Sequence, residues 1–306
     1  MVELPDTLHH YTTAAGLLGI TDQVKLGPLS EDAHVMGTIS RIRSISLWAT
    51  DARYLNDSAE LAYAAEQLAS RIEALVVPGA AREASLRNAA ERIRKLDFTG
   101  SGYAEGMPHT AYVTSFCRKG DLLSQWRGYG VHGGGYSIEL RSSALSQITT
   151  PIGRVGDESV GYVTGAAFVH KVAYGLDATR IEEAAQSIVD GRSGSGVMVD
   201  AVGALAQFKD PAFKEEDEWR LVVPAGTFYQ ACRYRTTPAG MIVPYIQVHR
   251  FQEDPNNPFV ARSAIKSVTV GPGPDRKLRK ESVLQLLRQR GFSDVEVHSS
   301  DVPFRG

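Results

Sequence analysis

The sequence predicts an α+β fold. Segments with the two-residue period of a strand outnumber helical ones. They do not alternate strictly with helices, as a doubly wound sheet would require, and two helical segments instead follow one another between residues 58 and 96. The chain reads as a single domain over residues 1–306, with that helical pair as an insertion and no internal repeat.

Taken in order, residues 8–13 read as a short strand, and Thr12 or Thr13 is placed to cap a brief helix over 14–20. Residues 45–50 alternate apolar and polar at strand period. Asp57 and Glu60 have the spacing of a capping box, in which the two side chains satisfy exposed N–H groups reciprocally. A helix over 58–75 follows, with Leu61, Ala65, Leu68 and Ile72 on one stripe. Pro78-Gly79 breaks it, and a second helix over 80–96 completes an αα-hairpin.

Beyond residue 110 the pattern predicts strands over 111–117, 136–140, 168–174, 219–224, 242–248, 265–270 and 294–298. A short helix or turn is expected over 121–129, and helices over 178–189 and 277–290. Gly291 then occupies the position favoured for a left-handed cap. Gly133–Gly135 reads as a turn and residues 191–196 as a flexible loop.

The 306 residues are 43% hydrophobic and 22% charged, an ordinary globular balance. A formal net charge of -2 gives no overall pull towards nucleic acid or an anionic membrane, although it leaves room for a local basic patch. Two cysteines, Cys117 and Cys232, make neither a disulfide framework nor a zinc site, so a reducing compartment is expected. The opening residues lack a basic segment followed by an apolar one, and no run approaches the ~18 apolar residues of a membrane span. The expected location is cytoplasmic, which also suits a toxin delivered by a dedicated secretion machine.

Four constellations carry chemical interest. The run Glu215-Glu216-Asp217-Glu218 abuts an apolar strand beginning at Trp219. Four adjacent acids repel one another and need solvent or a cationic or polar ligand. A site reading puts Glu218 at a rigid strand end, with Glu216 on the same side if the extended backbone reaches that far. The plainer reading is a solvated acidic turn with Arg220 paired across the sheet. His10-Tyr11-Thr12 offers an imidazole and a hydroxyl two residues later, a set that orients a ribose or simply closes a strand, with His9 on the opposite face. In the stretch from Asp121 to Gly130, Gln125, Trp126 and Arg127 offer an amide, a stacking surface and a guanidinium. Against that, Trp126 suits a core and Arg127 a pairing with Asp121. Last, Tyr54 and Asn56 are possible contacts beside Asp57. No cysteine cluster or i, i+4 histidine pair points to a metal.

Several of these motifs occur together in one bacterial family. His10-Tyr11-Thr12, Leu47-Trp48-Ala49-Thr50, Tyr54-Leu55-Asn56-Asp57-Ser58-Ala59-Glu60, Thr114-Ser115-Phe116-Cys117, the stretch Asp121 to Gly130, Glu218-Trp219-Arg220-Leu221 and Ser300 to Arg305 follow its order. The chain resembles the domain of unknown function 2971 (DUF2971) family, departing from it at Cys117, where a serine is expected. The same order is similar to that of the ADP-ribosyltransferase fold, which binds NAD in a cleft between two small sheets. The resemblance implies a split two-sheet core with an inserted helical hairpin. It implies NAD as substrate and no metal. His10 would orient the ribose, Thr114 and Ser115 would form the central-strand pair, Glu218 would be the catalytic acid and Glu216 its helper. Tyr129 or Tyr136 would stack on nicotinamide and Arg127 would hold the pyrophosphate. The expected function is an NAD-dependent ADP-ribosyltransferase, a toxin or phage-defence effector acting on a nucleic acid or protein and restrained by an antitoxin or inhibitor. An NAD glycohydrolase, a non-catalytic nucleotide or nucleic-acid sensor and a metal-dependent nuclease at Glu216, Asp217 and Glu218 are the alternatives. Glu218→Gln is expected to abolish activity and leave the fold intact.

Overall fold

The computed structural model describes residues 3–22, 44–55, 60–100, 108–129, 135–145, 147–152, 161–166, 168–192, 196–224, 232–237, 240–251 and 264–303. The chain begins with β1 (Thr7–Thr12) and α1 (Ala14–Ile20). Thr13 is the cap, its hydroxyl accepting from the Gly16 N–H. After β2 (Ser44–Asp51), α2 (Glu60–Leu75) and α3 (Glu83–Arg94) form the expected hairpin. The Asp57 half of its capping box, Asn56, and Gly133 and Gly134 lie outside the described residues.

β3 (Ala111–Cys117) has the predicted bounds, followed by α4 (Leu123–Tyr129), β4 (Tyr136–Arg141), β5 (Gln147–Ile152) and β6 (Gly161–Ala166). The strand expected over 168–174 divides at Val172 into β7 (Phe168–Lys171) and β8 (Ala173–Tyr174). Next come α5 (Ala178–Asp190), α6 (Val197–Leu205) and β9 (Phe208–Lys209). A 3-10 turn, Pro211–Glu216, leads into β10 (Glu218–Pro224). β11 (Arg233–Thr236), β12 (Ile242–Phe251), β13 (Ile265–Val270), α7 (Arg276–Gln289) and β14 (Glu296–Ser299) complete the order. Gly291 takes the left-handed φ of 79° that the sequence assigns it.

The class is α+β. Twelve strands join in one sheet along the path β14-β13-β4-β1-β3-β2-β12-β5-β6, with β10 and β7 branching from β3 and β11 beside β12. Its described pairs are antiparallel except β13–β14, and β8 and β9 form a separate two-stranded parallel sheet.

The sheet forks at β3. β10 runs along one edge, from Glu218 opposite Cys117 to Pro224 opposite Ala111. On the other edge β1 reaches β3 only at His9–Cys117, and β2 only at Thr50–Val113 and Asp51–Tyr112. Thr114, Ser115 and Phe116 therefore have registered partners on β10 alone.

Residues opposite one another in antiparallel strands share a face. On one face Tyr112, Phe116, Trp219 and Leu221 join a core with Leu8, Ile138 and Val268, closed by α1 and α7. On the other, Ala111 and Val113 lie beneath α2, α3, α5 and α6, while Cys117 packs with Tyr11 and Trp126 of α4. Ser115, Glu218 and Arg220 fall between these two apolar patches. The helical hairpin is part of this layer, because α2 packs on α5 and α6 as well as on α3, and Arg71 pairs with Glu182.

One close packing contact is specific enough to test. A methyl group on Gly271 would stand 2.8 Å from the ring of Trp126 and 2.9 Å from the Gly135 carbonyl oxygen. Trp126 is 1% exposed, and its indole N–H donates to Asp121 at 2.6 Å, so it has no room to retreat. Gly271→Ala is expected to lose about 1–3 kcal/mol in a urea unfolding titration.

Candidate functional site

A cleft of about 470 Å³ opens at the fork of the sheet, on the face between the helical layer and α4. His10, Tyr11, Thr12, Thr114, Ser115, Gln125, Tyr129, Glu216 and Glu218 all line it, although they come from three distant parts of the chain.

Glu218 opens β10 and is 3% exposed. Burial alone would push its carboxyl up, but the charges of Arg220 and Lys209 and hydrogen bonds from Arg220 and Ser115 hold it down at about 2. Arg220, two residues on and on the same face, donates from Nε to Oε1 at 2.7 Å and from Nη2 to Oε2 at 3.0 Å. Its Nη1 donates to the Ala206 carbonyl at the end of α6, 2.7 Å away. Lys209 Nζ reaches Glu218 Oε2 at 3.0 Å and Glu216 Oε2 at 2.8 Å. The plainer reading of the acidic run is thus corrected in two respects: Arg220 pairs along its own strand, and Glu218 is not solvated.

Glu216 reaches the same cation by a different route from the one expected. The extended backbone does not extend back to it, because Glu216 ends the 3-10 turn and Asp217 adopts a left-handed conformation with φ 42° and ψ 54°. That turn swings both carboxylates towards Lys209 and sends Asp217 outwards to Lys171, 2.9 Å away.

His10 occupies the gap of the fork. Its Nδ1 lies 2.9 Å from the Ser115 carbonyl. A carbonyl only accepts, so Nδ1 carries the proton and Nε2 presents a lone pair. Burial, partly opposed by this bond and reinforced by the charge of Arg235, lowers the ring's pKa, so it is neutral near pH 7. Thr114 Oγ1 donates to the Trp48 carbonyl on β2 at 3.4 Å. Tyr11 is committed to structure: its hydroxyl donates to the Lys119 carbonyl and accepts from the Leu122 N–H, both at 2.9 Å.

The helical turn of α4 sorts its candidates. Successive residues on a helix point about 100° apart, so a contiguous motif cannot all face one site. Gln125 and Tyr129, four apart, line the cleft. Trp126 packs into the core with Tyr11, and Arg127 is exposed outside the cleft. Tyr136 also lies elsewhere, in the core of the opposite face with the Arg279 guanidinium 5.3 Å from its ring centroid. These three side chains are not where the sequence reading put them. Burial and the charge of Glu218 push the Tyr129 phenol up to about 12, which keeps it a hydrogen-bond donor. Cys117 faces Glu218 across the ladder, and burial with that charge raises its pKa, so it stays a thiol.

Residues 125–221 match a family model described as protein of unknown function (DUF2971). This segment belongs to DUF2971. It runs from Gln125 to Leu221, so Glu216, Glu218 and Arg220 fall within the DUF2971 match while His10 and Ser115 precede it. No curated protein and no solved structure matches the chain. Among the described residues no helix is long and apolar enough to cross a membrane.

Lys209, Arg220, Trp48, Thr50 and Arg235 also line the cleft and were not assigned from sequence as ligand contacts. Arg220 had a signal, its i+2 spacing from Glu218 on a strand. Lys209 and Arg235 had none, since their position depends on how β9 and β11 pair.

Because Glu218 holds Arg220 and Lys209, its removal leaves buried cations under-paired, and the expectation of an intact fold is revised. Glu218→Gln is expected to cost about 3–5 kcal/mol. The lowered carboxyl pKa contributes stability that is fully present above its ordinary value of 4.5 and lost as pH falls through about 2. The melting-temperature gap between wild type and Glu218→Gln should therefore shrink as pH drops across that window. A gap independent of pH would contradict the ion pairing.

Proposed function

We propose that the cleft binds NAD and that the protein transfers ADP-ribose from it to a nucleic acid or protein, as a toxin or defence effector. The observation that carries this reading is the convergence of His10, Ser115 and Glu218 on one cleft. The fork at β3 supports the split-core comparison, since it opens the sheet at the strand bearing Ser115.

The residue chemistry suits cleavage of the nicotinamide–ribose bond. As that C–N bond breaks, its electron pair goes to the pyridinium nitrogen, and positive charge builds on the ribose. An ionised Glu218 fixed beside it stabilises that charge. Its oxygens already accept from Arg220, Lys209 and Ser115, so a ribose hydroxyl enters by displacing one partner. Lys209 is the exchangeable one, because it keeps Glu216 as counter-charge. The acceptor nucleophile then bonds to the ribose carbon and gives its proton to Glu216 or to water. Neutral His10 accepts from a ribose hydroxyl at Nε2 and needs no charge to do so.

Purified protein incubated with NAD and cell extract should release nicotinamide and label a macromolecule. Free ADP-ribose without labelling would make water the acceptor, and the protein a glycohydrolase. Absence of both cleavage and NAD binding at millimolar concentration would overturn the reading. His10→Asn separates chemistry from folding: its amide N–H can keep the bond to Ser115, but the Nε2 acceptor is gone. It should melt like wild type and release nicotinamide about tenfold more slowly or worse.

A further inference from the structure

Among the described residues five charged side chains line the cleft: Lys209, Glu216, Glu218, Arg220 and Arg235. The first four form one ion-paired network in which each carboxylate has a cation. Arg235 stands outside it. It lies on β11 opposite Val243, and its Nη2 donates to the Thr50 hydroxyl at 3.1 Å. Thr50 is its one hydrogen-bond partner among the described residues, where it makes no ion pair and its Nε is buried without an acceptor.

Among the described residues the half-buried Arg235 guanidinium faces only a hydroxyl, and a buried N–H without an acceptor is costly. The unmet guanidinium N–H is a donor, so its missing partner is an acceptor. With no carboxylate paired to Arg235 among the described residues, that acceptor is an anion. A guanidinium fork fits two oxygens of a phosphate better than it fits a single carbonyl. Thr50 stands opposite Val113 and Glu218 opposite Cys117, four residues apart along β3. The anion end and the carboxylate end are thus about 13 Å apart along the strand.

We propose that Arg235, with Thr50, is the phosphate anchor of the cleft and holds the diphosphate of the nucleotide ligand. The assignment deepens the NAD reading and rests on it for the rest of the ligand. Arg127, the candidate from sequence, is exposed away from the cleft.

Calorimetric titration with ADP, adenosine and NAD tests the anchor on wild type, Arg235→Gln and Arg235→Lys. Wild type should bind ADP well above adenosine. Arg235→Gln should weaken ADP and NAD about tenfold or more, leave adenosine unchanged, and melt no lower than wild type, since among the described residues the guanidinium has no counter-charge to lose. Arg235→Lys should fall between the two for ADP, and it carries the comparison if the glutamine variant is unstable. Equal ADP affinity in wild type and Arg235→Gln, or no ADP binding by wild type, overturns the anchor. The two readings fail separately. Arg235-dependent ADP binding without NAD cleavage would remove the transferase and keep the anchor, whereas NAD cleavage indifferent to Arg235→Gln would do the reverse.

Discussion

A carboxyl group that is 3% exposed must either keep its proton or be held by cations, and Glu218 is held by two. Much of the surrounding architecture supplies those cations or fixes them. Arg220 comes from the same strand and is anchored on the last turn of α6 through Ala206. Lys209 comes from β9, whose parallel pairing with β8 sets its height beside the sheet. The Tyr174 hydroxyl of β8 accepts from the Glu218 N–H at 2.7 Å, tying the small sheet to the start of β10. The helical layer, the small sheet and the central sheet thus meet at one carboxylate. Its charge is stable because it is neutralised in place, and that also ties any chemistry at Glu218 to an exchange of partners.

The second constraint is the gap beside β3. A central strand normally satisfies both edges through continuous ladders, yet β1 and β2 leave this one between residues 113 and 117. Side chains take over part of the lost pairing. His10 bonds the Ser115 carbonyl from the β1 side, and Thr114 bonds the Trp48 carbonyl on the β2 side. The edges of the opening are pinned by these two bonds, which explains why His10 and Ser115 belong to the site and to the fold at once.

α2 was legible because its burial is one-sided, and β3, buried on both faces, because it is a short run rich in aromatic and β-branched residues. β3 and β13 show the strand pattern to the residue, and the stripe Leu61, Ala65, Leu68, Ile72 marks α2. α6 was not legible, because Val197–Leu205 is apolar nearly all round, and six of its nine residues are buried beneath other helices. Such a segment has no periodic signal. β5 is interrupted by Pro151, β6 by Gly161 and Gly165, and β11 by two arginines, and these residues mask the β-branched and aromatic ones around them. At the site, Glu218 was legible as an acid at a strand's threshold and His10 through motif order. Arg235 was not, because its lack of an ion pair among the described residues shows only once their carboxylates have been placed.

Asp217 shows how the acidic run resolves its own repulsion. Strand alternation alone would put Glu216 and Glu218 on one side and Asp217 on the other, but only if the backbone were extended there. The backbone instead turns through a left-handed residue that is not glycine, a conformation costing about 1–2 kcal/mol. The Asp217–Lys171 ion pair offsets part of that cost on the outside, and the two bonds of Lys209 offset part of it within. The strain is localised between the two carboxylates that share Lys209, where it fixes their separation. A glycine at position 217 would relieve the strain but lose the outer ion pair, leaving both acids less firmly placed on the cation they share.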